Sequence, residues 1–367
     1  MAWELKLDDL EDLARGAALL GSGGGGDPYV GRLMVEASLV EGAHVTVWDL
    51  SEVPDDALVI CTAMMGAPTV MVEKIPAGSE GILALRSLEQ HLGRRAVATM
   101  PMECGGINST IPLVVAAKAQ IPVIDADGMG RAFPELQMET FHVFGVSGTP
   151  MAIADERGDV VLLSTPDNYL MEWLARGITI RMGGASLIAE YPMDGATAKK
   201  VSIGGTLSLG IALGRAIRSA RERHSDLLRG LAEVLRPSGY GEPRLIFQGK
   251  ILDVLRHTTG GFARGHSTIA PFGQGPEMRV RFQNEYLIAE IDDRVAAVVP
   301  DLICILDEET GEPITTEGLR YGQRVHVITI RAPAIMRSRE ALVVFGPQAF
   351  QLDCEYSDVV APDASGR

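Results

Sequence analysis

The sequence predicts an α/β protein: an N-terminal, mostly parallel sheet with helices on both faces, plus a β-rich C-terminal domain, a barrel or sandwich, with an inserted long helix. Two observations carry this reading. Four short apolar runs, at 44–48, 57–62, 95–100 and 121–124, are interspersed with helically spaced segments at 79–92 and 109–119, and strands alternating with helices form parallel sheets covered on both faces. From residue 244 onward short strand-like runs dominate, at 245–254, 277–283, 285–291, 301–306, 322–330 and 341–345, the spacing of a barrel or sandwich. A length of 367 residues suits about two domains. The expected division is 1–166, 167–358 and a disordered tail at 359–367.

Taken in order, residues 7–20 place Leu10, Leu13, Ala17 and Leu20 at helical spacing behind the acidic pair Asp8 and Asp9, which favours a helix N-terminus. The helix stops at the tract Gly21-Ser-Gly-Gly-Gly-Gly-Asp-Pro-Tyr29, where glycine tolerates positive φ and Asp27-Pro28 supplies a cap and first turn for a second helix, 29–40. A hairpin is expected at 150–164, then a helix at 168–175 and a long helix at 204–235, with Leu209, Leu213, Ile217 and Ala220 inward and Arg215, Arg218, Arg221 and Arg223 on a solvated face.

Composition narrows the function. A formal net charge of −15 gives no general affinity for phosphate backbones or anionic lipid, so nucleic acid and membrane are not expected partners. With no leader-like start and no apolar run of about 20 residues, a cytoplasmic protein is expected. The four cysteines, Cys61, Cys104, Cys304 and Cys354, lie far apart with no CxxC, which gives neither a disulfide framework nor a zinc knuckle.

In an open α/β sheet, ligands bind beyond the carboxyl ends of the strands. Three unusual loops fall there: 64–68, Met102-Glu-Cys-Gly-Gly-Ile-Asn108, and Asp125-Ala-Asp-Gly-Met-Gly-Arg-Ala-Phe-Pro-Glu135. In the second loop Glu103 is a candidate general acid or base, with a capping role as its alternative, and the amides of Gly105, Gly106 and Asn108 are placed to bind substrate. Cys104 is either a helix-terminus nucleophile or a packed thiol. In the third, Asp125 and Asp127 share a strand face, and with Glu135 and His142 they offer ligands for a divalent metal such as zinc. The alternative is that Arg131 pairs with the aspartates and orients the substrate. The glycine tract follows a helix, lacks Lys-Ser/Thr and ends in Asp27, so Gly24, Gly25 and Asp27 are expected to approach a substrate instead of a nucleotide. Lys199 or Lys200 could polarise a carbonyl, although solvated lysines are the default. His257 and His266 are expected in a hairpin.

Together the glycine tract, the 102–108 and 125–135 loops and Phe247-Gln-Gly-Lys-Ile-Leu-Asp-Val254 resemble the S-methyl thiohydantoin desulfurase-like family, found beside hydantoinase/oxoprolinase-type proteins. Pro300-Asp-Leu-Ile-Cys-Ile-Leu-Asp307 and Leu319-Arg-Tyr-Gly322 extend the resemblance, which spans roughly residues 8–354. It implies two domains and hydrolysis at a five-membered cyclic amide or ureide ring, with Glu103, Asp125 and Asp127 activating water, directly or through a metal. Arg131 and the glycine amides would stabilise charge. A homo-oligomer is expected. The competing classes are a non-catalytic binding or regulatory subunit of a hydantoinase-type system and a nucleotide-dependent oxidoreductase.

Overall fold

The structure, a computed structural model, describes residues 1–66, 70 and 77–357. Ala67 and Pro68 of the first rim loop, and the expected tail, lie outside the described residues. The first sheet runs, in spatial order, β1 (Trp3–Glu4), β2 (Thr46–Asp49), β5 (Val123–Asp127), β4 (Ala98–Met100), β3 (Leu58–Gly66), β8 (Ala185–Asp194), β6 (Met151–Ala154) and β7 (Val160–Leu163). β9 (Ile203–Gly204) pairs with β5 off this path. β2, β5, β4 and β3 are mutually parallel. β8 is antiparallel to both β3 and β6, so β6 points the same way as the parallel four.

Strand β3 shows why the sequence makes this layer. Its side chains alternate between faces, and both faces are covered. Leu58, Ile60 and Met64 pack with Leu85 and Leu88 of α3 (Glu80–Leu92) and with Val115 of α4 (Ile111–Ala119). Val59, Cys61, Ala63 and Met65 pack with Met171 and Ala175 of α6 (Asn168–Arg181). A strand buried on both faces needs a continuous apolar run, and residues 58–65 are all buried. The α/β expectation, with helices on both faces, therefore holds.

The second sheet is antiparallel, in the order β14 (Arg294–Val298), β13 (Glu285–Ile291), β12 (Met278–Gln283), β11 (Phe262–Pro271), β10 (Arg244–Thr259), β16 (Arg324–Ile330), β15 (Leu302–Asp307). It curls into a half-barrel around Ile251, Ile269, Val280, Tyr286 and Val327. Among the described residues no helix is long and apolar enough to cross a membrane.

Three local expectations are corrected. The helix expected over 204–235 is two, α8 (Thr206–Arg223) and α9 (Leu227–Leu235), because His224 takes a left-handed conformation at φ 50° and Asp226 caps the second segment through the Arg229 amide. The run at 341–345 is helical, within α10 (Arg339–Phe345), because Ser338 caps it through the Ala341 amide; a short apolar run alone does not separate strand from helix. The arginines of α8 are not merely a solvated face. Arg218 donates to both carboxylate oxygens of the buried Asp12 at 2.9 Å, tying α8 to α1 (Leu7–Leu20).

Those two helices cross almost backbone to backbone. A Cβ on Gly16 would lie 1.7 Å from the Gly210 carbonyl oxygen, and one on Gly214 would lie 1.7 Å from that of Asp12. A Gly→Ala change inside an exposed helix normally gains up to about 1 kcal/mol of helix propensity. Here Gly214→Ala is expected to lower stability by about 2–3 kcal/mol through overpacking, read as a lower urea midpoint; an unchanged midpoint contradicts the close crossing.

Candidate functional site

The acidic strand end opens the site. All of β5 is buried, and period-two alternation puts Asp125 and Asp127 on one face. Both accept backbone amides. Asp125 Oδ1 accepts the amides of Leu207 at 2.8 Å and Ser208 at 3.1 Å, so it caps α8, whose own Ncap residue Gly205 supplies no side chain. Asp127 accepts the Cys104 amide at 2.7 Å and the Gly130 amide at 2.9 Å, which fixes the two rim loops against each other. Burial pushes the Asp127 carboxyl up to about 7 against the pull of those amides.

Arg131 does not pair with the aspartates. It is fully buried and spends its donors on the carbonyls of Ala132 at 3.2 Å, Asp301 at 2.7 Å and Tyr286 at 2.9 Å. The last two belong to the β half, so Arg131 straps the halves together. Burial lowers it to about 10, and its charge favours ionisation of Glu285.

The glycine tract wedges into the same seam. The Ser22 carbonyl accepts the Tyr286 amide at 2.8 Å, the Gly23 carbonyl accepts the Thr316 amide at 2.7 Å, and the Gly25 carbonyl accepts the Ile107 amide at 2.9 Å. The Gly25 amide donates to Glu285 Oε1 at 3.1 Å. Side chains would not fit: a Cβ on Gly24 would lie 2.2 Å from that Glu285 oxygen, and one on Gly106 would lie 2.2 Å from the Gly25 carbonyl oxygen.

These contacts frame a cavity of about 50 Å³ between the halves, lined in part by Gly25, Met64, Met65, Met102, Glu103, Phe133, Glu135, Arg176 and Glu285. Glu103 and Glu285 enter it from different halves, 4 % and 2 % exposed. Asn108 holds Glu103 Oε1 at 2.8 Å and also clasps the Met64 backbone, accepting from its amide at 2.7 Å. Among the described residues, Glu103 Oε2 and Glu285 Oε2 are buried with no partner at full hydrogen-bonding geometry, although the Phe133 backbone lies near enough to Glu103 to favour its anion. Burial, and then the neighbouring Glu285, hold the Glu103 carboxyl well above the usual carboxylate range. Burial raises Glu285 to about 8 despite Arg131 and the Gly25 amide.

Other expected site residues lie elsewhere or serve the backbone. Asp27 caps α2 (Pro28–Val40) through the Tyr29 amide at 2.9 Å. Lys199 pairs with Asp55 at 2.8 Å and does not line the cavity. Cys104 is buried with its thiol against Thr206 Oγ1 at 3.1 Å, and burial and Asp127 hold it well above the usual thiol range, which disfavours a thiolate nucleophile. His142, half-buried on α5 (Thr140–Val143), lies 3.1 Å from the Asn168 amide nitrogen. Among the described residues no three His, Cys, Asp or Glu side chains form a group able to hold a metal ion. The expected set of Asp125, Asp127, Glu135 and His142 is thus not gathered into one, because the aspartates bind amides and Glu135 accepts from Gln137.

Sequence reasoning missed Glu285, Glu139 and Glu190. Glu139 and Glu190 are 0 % exposed, and among the described residues none of their four carboxylate oxygens has a hydrogen-bond partner. Glu190 stands in the largely apolar strand β8, and that isolation was the available signal; Glu139, among Glu135, Gln137, Thr140 and His142, carried none. Burial raises both carboxyls well above the usual range, with Glu190 adding to Glu139 and Glu172 to Glu190.

Residues 8–165 match the S-Me-THD-like N-terminal domain and residues 166–359 the S-Me-THD-like C-terminal domain. The chain belongs to the S-Me-THD-like family. That name relates the family to S-methyl thiohydantoin. A crystal structure of a protein from Chromobacterium violaceum is similar at 26 % identity and a TM-score of 0.81, covering 97 % of this chain and 99 % of that one. No curated protein matches the chain.

The raised carboxyls make stability pH-dependent. A carboxyl whose folded pKa exceeds its unfolded value near 4.3 stabilises fully below that pH and loses the contribution as pH rises through the folded pKa, at about 1.4 kcal/mol per unit per group. Glu139→Gln and Glu190→Gln are therefore expected to flatten the fall in stability as pH rises above about 5, measured by urea unfolding. A fall as steep as in the unaltered protein would contradict the buried, unpartnered state of these groups.

Proposed function

We propose that the protein is a hydrolase that replaces the methylthio group of an S-methyl thiohydantoin-like ring with oxygen, giving a hydantoin and methanethiol. The observation that carries this reading is the pair Glu103 and Glu285, facing one cavity from opposite halves, each with a free oxygen and each weakened as an acid. Two carboxyls of unequal acidity divide general-acid and general-base roles. The cavity also suits the leaving group, since Met64, Met65 and Met102 line it and thioethers pack well against soft apolar groups.

The steps follow from the roles. Glu285, favoured as the anion by Arg131, takes a proton from water as the water oxygen bonds to the ring carbon bearing sulfur. Glu103, kept protonated by burial and by Glu285, gives its proton to the adjacent ring nitrogen, so that charge does not build up there. Collapse of the tetrahedral carbon breaks the C–S bond. The sulfur leaves as methanethiol with the proton from Glu285, and loss of the hydroxyl proton completes the new carbonyl and restores Glu103. Water supplies the oxygen and, overall, the thiol proton. Ring opening of a related hydantoin would use the same two groups in the same order.

Methanethiol release from S-methyl thiohydantoins, followed with a thiol reagent, tests the reading. The rate is expected to rise about tenfold per pH unit up to about pH 8, where Glu285 ionises. Glu285→Gln and Glu103→Gln are each expected to lower kcat/KM by about 10²- to 10⁴-fold, and Glu285→Gln also removes the rising limb. No turnover, with folded protein, would favour a binding subunit instead.

A further inference from the structure

Beside the cavity runs a much larger groove, about 930 Å³, along the outer face of α6. Its lining is mainly apolar, with Val161, Tyr169, Trp173, Ile180 and Phe262 contributing. Trp173 is 71 % exposed, an unusual placement for the largest apolar side chain. The groove and the cavity share two lining residues, Glu135 and Arg176. Arg176 stands between them. It is paired with Glu172, donates to the Pro134 carbonyl at 2.9 Å, and lies 4.3 Å from the centre of the Phe262 ring at the tip of the β10–β11 hairpin.

The two volumes decide what each space holds. Ligand pockets span about 300–1,000 Å³, and the cavity, at about 50 Å³, holds only a few waters or a small group. A ring whose reacting carbon reaches Glu103 and Glu285 therefore has the rest of its bulk on the Glu135–Arg176 side, where the groove has ligand-sized room. We propose that this groove binds the substituent on the ring's tetrahedral carbon, and that this substituent is large and apolar, an aromatic or branched side chain of the kind an amino-acid-derived hydantoin carries. The assignment rests on the hydrolase reading and adds the substrate class to it. An anionic substituent fits poorly: Asp159, Glu135 and Glu172 line the groove against two arginines, and Arg176 is already engaged by Glu172 and Pro134.

The test compares kcat/KM for S-methyl thiohydantoins carrying hydrogen, benzyl, isobutyl or carboxymethyl at that carbon, with calorimetric titration of the corresponding hydantoins as a readout independent of turnover. The benzyl and isobutyl compounds are expected to exceed the hydrogen compound at least tenfold, and Trp173→Ala to collapse that ratio to within threefold. Turnover of the hydrogen compound with equal or better use of the carboxymethyl one overturns the groove assignment and leaves the hydrolase reading standing. If no compound turns over, the titrations still decide: tighter binding of the benzyl hydantoin that is lost in Trp173→Ala supports the groove, and binding indifferent to the substituent or to Trp173 overturns it.

Discussion

The site depends on one constraint, the approach of the glycine tract to the Tyr286 ring, the Glu285 carboxylate and the Gly105 backbone at distances that leave no room for a side chain. Residues 22–25 donate to or accept from Tyr286, Thr316 and Glu285 of the β half and Ile107 of the α/β half. Gly23, at φ 90°, sits where a Cβ would fall 2.4 Å from the Tyr286 ring. Glycine is costly to order, so a run of four is retained where close approach repays that entropy. What it achieves here is register: Glu285, carried by the start of β13, is set against the loop that carries Glu103.

That register has an electrostatic consequence. Glu103 and Glu285 are removed from water by the same packing that joins the halves, and the nearby cation, Arg131, gives its hydrogen bonds to carbonyls instead of to either carboxylate. An unpartnered buried carboxylate costs several kcal/mol, and the group responds by holding its proton. Stability is thereby exchanged for acidity matched to proton transfer near neutral pH, the usual pattern where perturbed carboxyls cluster in a cleft. Glu139 belongs to the same buried field, since Glu190, Asp127 and Glu103 all raise its carboxyl, and Asp127 also adds to the shift of Glu103.

Much of this was legible in the sequence. The continuous apolar run of β3 announces a strand covered on both faces, and the glutamate at position 103 between a strand and a glycine turn announces a group delivered to a rim. Spacing correctly put Asp125 and Asp127 on one face, but spacing says nothing about whether a carboxylate meets a metal or an amide; both meet amides. Glu285 was invisible because its partner in function lies 182 positions away in the chain, and its environment is made by a loop 260 positions away. Local pattern carries periodicity and turn chemistry; it does not carry which distant backbone will desolvate a given side chain. The split of the long helix at His224 failed for the opposite reason, since a single left-handed residue interrupts a periodicity that otherwise continues.

The central claim is that the glycine wedge holds Glu285 desolvated beside Glu103. A carboxyl-¹³C NMR titration of glutamate-labelled protein, with Glu285→Gln to assign the resonance, tests it most directly. The account predicts that the Glu285 carboxyl titrates at about 8, and that Gly24→Ala, which intrudes on its carboxylate, moves it toward the ordinary range near 4.3. A Glu285 resonance titrating near 4.3 in the unaltered protein would contradict the account.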